Sequence, residues 1–183
     1  MKNNKGFSLV ELIIVIALMG IILGFASVGL GALSSQNEKA ASKDIYNMIG
    51  SAKTVAMSRA ECYLVLTSDS VRIVYKNTEN STYITASENS IKKTVLVSYS
   101  EDGTNYSQID GSTTQPGIVI KFDRSTGGFD SFYYYNTAYT SGGSAVPYNS
   151  SYPISNIRSI KVGDGDKAIY ITLTKSTGKY SLE

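Results

Sequence analysis

The sequence predicts an α+β chain: a long N-terminal helix, hydrophobic in its first half, packed on a small antiparallel β-sheet or β-sandwich. Three observations predict it. Residues 12–33 contain one polar side chain, Ser27. Ile45, Met48, Ile49, Ala52 and Ala56 then fall at helical spacing on one face. After Ala60 the apolar period drops to two, as in half-buried strands. The implied organisation is a leader (1–6), an apolar half of the helix (7–33), an amphipathic half (34–60) and a β-rich globular domain (61–183).

The apolar half comes first. As a helix, residues 12–33 extend about 33 Å, enough to cross the hydrocarbon of a bilayer. Lys2 and Lys5 precede them, and the positive-inside rule keeps such a short basic leader in the cytoplasm. Glu11 is the one charge at the head of the run. A carboxylate in lipid costs roughly 2.5–3.5 kcal/mol on insertion scales, so it needs a partner or a task unless it lies at the interface. An ordinary secretory signal ends its apolar region at a small-residue cleavage site. Here the glycine, Gly6, lies before the run, and a cut after it removes the basic leader while leaving the membrane helix on the mature chain. Gly20 and Gly24 form a Gly-x-x-x-Gly pair that lets two helices approach closely. No proline precedes Pro116, so a bend or melted turn between Gly24 and Gly31 is expected to come from glycine.

Gly6, Phe7, Ser8, Leu9, Val10, Glu11 and Leu12, followed by the apolar run, resemble the class III signal of type IV pilins and pseudopilins. The resemblance covers about the first thirty residues. It implies that prepilin peptidase cleaves between Gly6 and Phe7 and that the same enzyme N-methylates Phe7. It also implies that Glu11 pairs with the N-terminal amine of a neighbouring subunit. Each of those charges is costly in an apolar filament core until the other neutralises it.

In the amphipathic half the Ile45–Ala56 stripe should pack against a sheet, with Lys39, Lys43, Asp44, Lys53 and Arg59 largely elsewhere. Residues 62–67 and 71–75 read as a hairpin around Ser68-Asp69-Ser70. Residues 83–86 and 94–100 are further strands, and 109–117 a polar loop. Residues 118–122 and 129–135 form the next strand pair, the second of them aromatic. Residues 136–155 lack periodicity and read as a long Ser-, Gly-, Asn-, Pro- and Tyr-rich loop. Its Tyr139, Tyr148 and Tyr152 are candidates for a ligand surface, although a variable loop covering the sheet explains them more simply. Residues 157–162 and 168–174 form a hairpin around a Gly-Asp-Gly-Asp turn, and 180–182 add a last short strand. Asp164 and Asp166 in that turn lack the rest of a calcium loop and need no metal.

Composition excludes several functions. The chain has no histidine, which removes Ser-His-Asp and Cys-His nucleophile systems and His-liganded metal sites. Its lone cysteine, Cys62, can form no intrachain disulfide and reads as a small buried apolar side chain. No P-loop is present, since Tyr180 stands where the string ending at Lys179 would need Ser or Thr. Neither a catalytic constellation nor a cofactor site is expected. Without Lys2 and Lys5 the 15 remaining basic residues meet 15 acidic ones, which disfavours a strong nucleic-acid field. Residues 157–183 keep a small excess, with Arg158, Lys161, Lys167, Lys175 and Lys179 against Asp164, Asp166 and Glu183. That gives only weak support for a nucleic-acid partner.

Residues 51–66, 120–128 and 169–180 are similar to the minor pseudopilin group that includes the H pseudopilin of type II secretion and FimT-like pilins. Together the resemblances imply a structural subunit, a minor pilin or pseudopilin, of a type IV pilus-like filament serving adhesion, motility, secretion or DNA uptake. Its expected partners are other pilin or pseudopilin subunits, prepilin peptidase, an inner-membrane assembly platform and its separate motor ATPase, and lipid before assembly. The chain is then single-pass in the cell membrane first and in an extracellular filament afterwards. The alternative is an uncleaved, membrane-anchored extracellular domain that binds a glycan or peptide through the Tyr-rich loop.

Overall fold

The computed structural model describes residues 8–58 and 61–183, without the side chains of residues 25–33. The chain is α+β, a helix followed by two antiparallel sheets, and it divides into two compact units, Met1–Gln36 and Asn37–Glu183. Helix α1 spans Leu9–Ser58 and is assigned without a break across Gly24, Gly29 and Gly31. No melted turn interrupts it there, so the single chain does not call on glycine to supply one.

In the first unit the apolar side chains of residues 9–23 face solvent; Leu9 is 75% exposed and Leu23 70%. The expected span, residues 7–33, begins at a position outside the described residues and ends among the undescribed side chains. Among the described residues, no helix is long and apolar enough to cross a membrane.

In the second unit the strands are β1 (Cys62–Leu66), β2 (Ser70–Lys76), β3 (Tyr83–Ser90), β4 (Val97–Ser100), β5 (Ser107–Gln108), β6 (Ile118–Phe122), β7 (Phe129–Tyr135), β8 (Tyr148–Ile154), β9 (Ser159–Val162), β10 (Ile169–Thr174) and β11 (Lys179–Leu182). One sheet has the order β3-β2-β1-β6-β7-β8, the other β11-β10-β9-β4-β5. Ile45, Met48, Ile49, Ala52 and Ala56 are all buried, as their spacing predicts. They share one core with Leu64 and Leu66 of β1, Ile118 and Ile120 of β6, Ile160 of β9 and Ile171 of β10. Burying an aliphatic side chain of this size contributes about 1.5–3 kcal/mol, so this stripe fastens the helix to both sheets.

The larger sheet is buried on its other face as well. Tyr63, Val65, Val74, Tyr83, Val119 and Tyr139 form a second cluster there. Residues 136–147 cross this face from β7 to β3. At the far side Tyr83 N–H donates to Gly143 O, Gly142 N–H donates to Tyr83 O (both 2.8 Å), and Thr85 N–H donates to Ser141 Oγ at 3.1 Å. This explains why all five residues of β1 are buried although a one-faced strand would alternate.

Two sequence expectations change. The long loop is shorter than its lack of periodicity suggests, because Tyr148–Ile154 forms β8 on the edge of the larger sheet. An edge strand that is mostly exposed needs no apolar alternation, so its period is silent. The stretch between β4 and the polar loop 109–117, where the sequence marks no strand, holds the two-residue β5, which pairs Gln108 with Ser98 and Ser107 with Tyr99.

Candidate assembly site

The N-terminus of α1 is built on a reciprocal pair. Ser8 N–H donates to Glu11 Oε2 at 2.9 Å, and Glu11 N–H donates to Ser8 Oγ at 3.2 Å. This is a capping box, which satisfies two backbone donors that helix geometry otherwise leaves without a partner. The Ser-x-x-Glu spacing that encodes it is visible in the sequence, yet an apolar run draws attention to the charge alone. The carboxylate also lies in the first helical turn, where the helix dipole favours a negative charge.

Behind Glu11 comes the exposed apolar surface. Within it a Cβ added at Gly20 or Gly24 would meet nothing within 4 Å apart from the helix itself, so both positions are open to close approach by another helix. Gly6 and Phe7 lie outside the described residues.

Residues 1–27 match a family model described as the prokaryotic N-terminal methylation motif. The chain carries the class III signal of type IV pilins and pseudopilins. No curated protein and no solved structure matches the chain. The class III signal supports a type IV pilin-like prepilin substrate, a kind of structural subunit that is usually non-enzymatic. It implies a membrane-anchored precursor and a surface filament, and it suggests processing by prepilin peptidase and assembly with other pilin subunits.

The other candidates are dispersed. Tyr139 is only 6% exposed and its hydroxyl lies 3.1 Å from Thr85 Oγ1. It is therefore a core residue, the inward-facing side chain of the crossing loop, rather than part of a ligand surface. Tyr148 is half-buried and stacks on Tyr133 with ring centroids 4.4 Å apart. Tyr152 is 65% exposed. Cys62 is buried and donates through Sγ to Ala52 O at 3.4 Å. Burial pushes its thiol up to about 12, so it is neutral and unreactive at physiological pH. Asp164 accepts Gly165 N–H at 2.8 Å and caps the short 3-10 turn Gly165–Lys167. Of the basic residues in 157–183, Lys161 pairs with Asp164 at 3.7 Å and Lys175 Nζ lies 5.5 Å from the Phe132 ring centroid.

Proposed function

We propose that this chain is a minor pilin or pseudopilin, a structural subunit of a type IV pilus-like filament. Prepilin peptidase cleaves it between Gly6 and Phe7 and methylates the new N-terminus, and a separate motor ATPase drives its assembly. The observation that carries the reading is the methylation motif over residues 1–27, together with a helix whose apolar side chains at residues 9–23 are exposed. An uncovered surface of this size needs lipid or other apolar helices around it. In the precursor that environment is lipid; in the filament it is the same segment of neighbouring subunits. Glu11 then exchanges its intrahelical partner for the amine of the next subunit. The two-sheet domain faces outward.

The test is the intact mass and N-terminal peptide of the protein taken from its native membrane. A chain beginning at methylated Phe7 is the expected result. A chain retaining Lys2 and Lys5 overturns the reading and favours an uncleaved anchored domain.

A further inference from the structure

We propose that a cavity beside the bulge of β8 is a binding site for a neutral oligosaccharide. The register between β7 and β8 jumps: Tyr133 faces Pro153, and the next residue, Tyr134, faces Asn149. Ser150, Ser151 and Tyr152 therefore have no partner on β7 and leave the sheet as an exposed bulge. Bulges re-aim side chains out of a ladder, and this one holds Tyr152 over the end of β7. Between it and the loop before β6 lies a cavity of about 470 Å³, lined by Tyr134, Tyr135, Tyr152, Asn149, Thr113 and Thr137 among others. Its size falls within the roughly 300–1,000 Å³ of small-molecule sites.

The lining chemistry selects the ligand. No charged side chain is among the lining residues. Three of the lining residues are tyrosines, whose rings are flat faces with polar rims that suit the C–H faces of a pyranose. The polar groups are hydroxyls and amides, able to donate and accept toward sugar hydroxyls. Among the described residues, the Asn149 amide nitrogen and the hydroxyls of Thr113, Thr137, Tyr135 and Tyr152 make no hydrogen bond. They are available to a ligand. Asn136, by contrast, is committed: its Nδ2 donates to Val146 O at 2.9 Å and its Oδ1 accepts Ala138 N–H at 3.0 Å, so it is a fixed wall. Asn149 Oδ1 accepts Ser151 N–H at 3.1 Å, which orients the free amide nitrogen from within the bulge.

Two other occupants fit less well. An anionic glycan would find no cation in the lining to meet its carboxylates. A peptide adding to the free edge of β8 would need an unbroken row of backbone donors and acceptors. The bulge and Pro153, which has no N–H, interrupt that row. The site does not depend on how the chain is anchored or assembled.

The experiment presents the full-length chain, in a sugar-free zwitterionic detergent, to an array of neutral, sialylated and uronic oligosaccharides and to a peptide library. Hits are titrated by calorimetry. The proposal expects binding to neutral oligosaccharides, weakened about tenfold by Tyr152→Ala, equivalent to about 1.4 kcal/mol. Thr137→Ala should weaken the same ligands, and neither variant should shift the unfolding midpoint, because both side chains are exposed. Three results would overturn it: no neutral oligosaccharide bound at about millimolar concentration, binding of charged glycans or peptides alone, or neutral binding unaffected by either substitution.

Discussion

Ser8 and Glu11 hold each other at both ends, with Glu11 Oε2 2.9 Å from the Ser8 nitrogen and Ser8 Oγ 3.2 Å from the Glu11 nitrogen. The carboxylate thus has one job inside the chain, capping, and a second proposed between chains, neutralising an amine. The two are separable. A glutamine at this position can still reach back to the Ser8 N–H, as capping boxes allow, but it carries no charge. Glu11→Gln should therefore keep the helix start and still reduce incorporation into filaments, as should Glu11→Ala. Ser8→Ala should weaken the cap by about 1 kcal/mol and leave incorporation near normal. Counting subunits in sheared filaments against a wild-type control decides the matter. If Glu11→Gln assembles normally, the charge-pairing role fails.

The turn between β6 and β7 supplies a pH signature. Asp123 Oδ1 accepts bonds from the Ser125 hydroxyl at 2.6 Å, from the Thr126 backbone and hydroxyl at 2.9 Å each, and from the Ser125 backbone at 2.9 Å. These bonds, those of Ser125 and Thr126 foremost, hold its carboxyl down at about 2. The ordinary aspartate value is about 3.9. A folded pKa below the unfolded one means stability that is complete above about pH 4 and lost as pH falls toward about 2. Asp123→Asn should lower the unfolding midpoint at neutral pH, and the gap to wild type should close between about pH 4 and 2. Asp102, held down first by the Asn105 and Thr104 backbone N–H groups, contributes acid sensitivity to both proteins equally. Thermal melts across that range are the measurement; a gap independent of pH would contradict the assignment.

The crossing loop makes a stability prediction. Tyr139 is the side chain that anchors residues 136–147 in the second cluster. Tyr139→Ala should cost about 3–5 kcal/mol, the range for removing a buried aromatic. Tyr139→Phe should cost about 0.5–1.5 kcal/mol, since it loses only the bond to Thr85. Denaturant titration separates the two, and a silent Tyr139→Ala would mean the loop does not cover the sheet in solution.

Most of the architecture was legible because it depends on periodicity. The stripe Ile45, Met48, Ile49, Ala52 and Ala56 and the alternation in β10 mark buried faces directly. The second cluster was not legible. Tyr139 and Val146 lie in a stretch without periodicity, and nothing local says that it folds back over β1. β8 was missed for a related reason: an exposed edge strand is defined by backbone bonds, which leave no apolar pattern. At the N-terminus the situation reverses. Gly6, Phe7 and Glu11 are read from a short motif, while the structure adds Ser8, the partner that holds Glu11 within the single chain.

One feature of the domain bears on force. The turns after β6 and after β10 meet where Gly178 approaches Gly128 so closely that a Cβ on Gly178 would fall 2.7 Å from Gly128 Cα. Lys53 of α1 clamps this point, with Nζ donating to Gly178 O at 2.8 Å, and the Tyr180 ring lies tilted against Tyr46, its hydroxyl beside Gly50. Gly127 lies against Met57 one helical turn further on. A pull transmitted along this part of α1 reaches both sheets at this knot as well as along the buried stripe, rather than peeling one sheet from its edge. Contacts spread across three elements then share the strain, so the joint between helix and sheets resists shear.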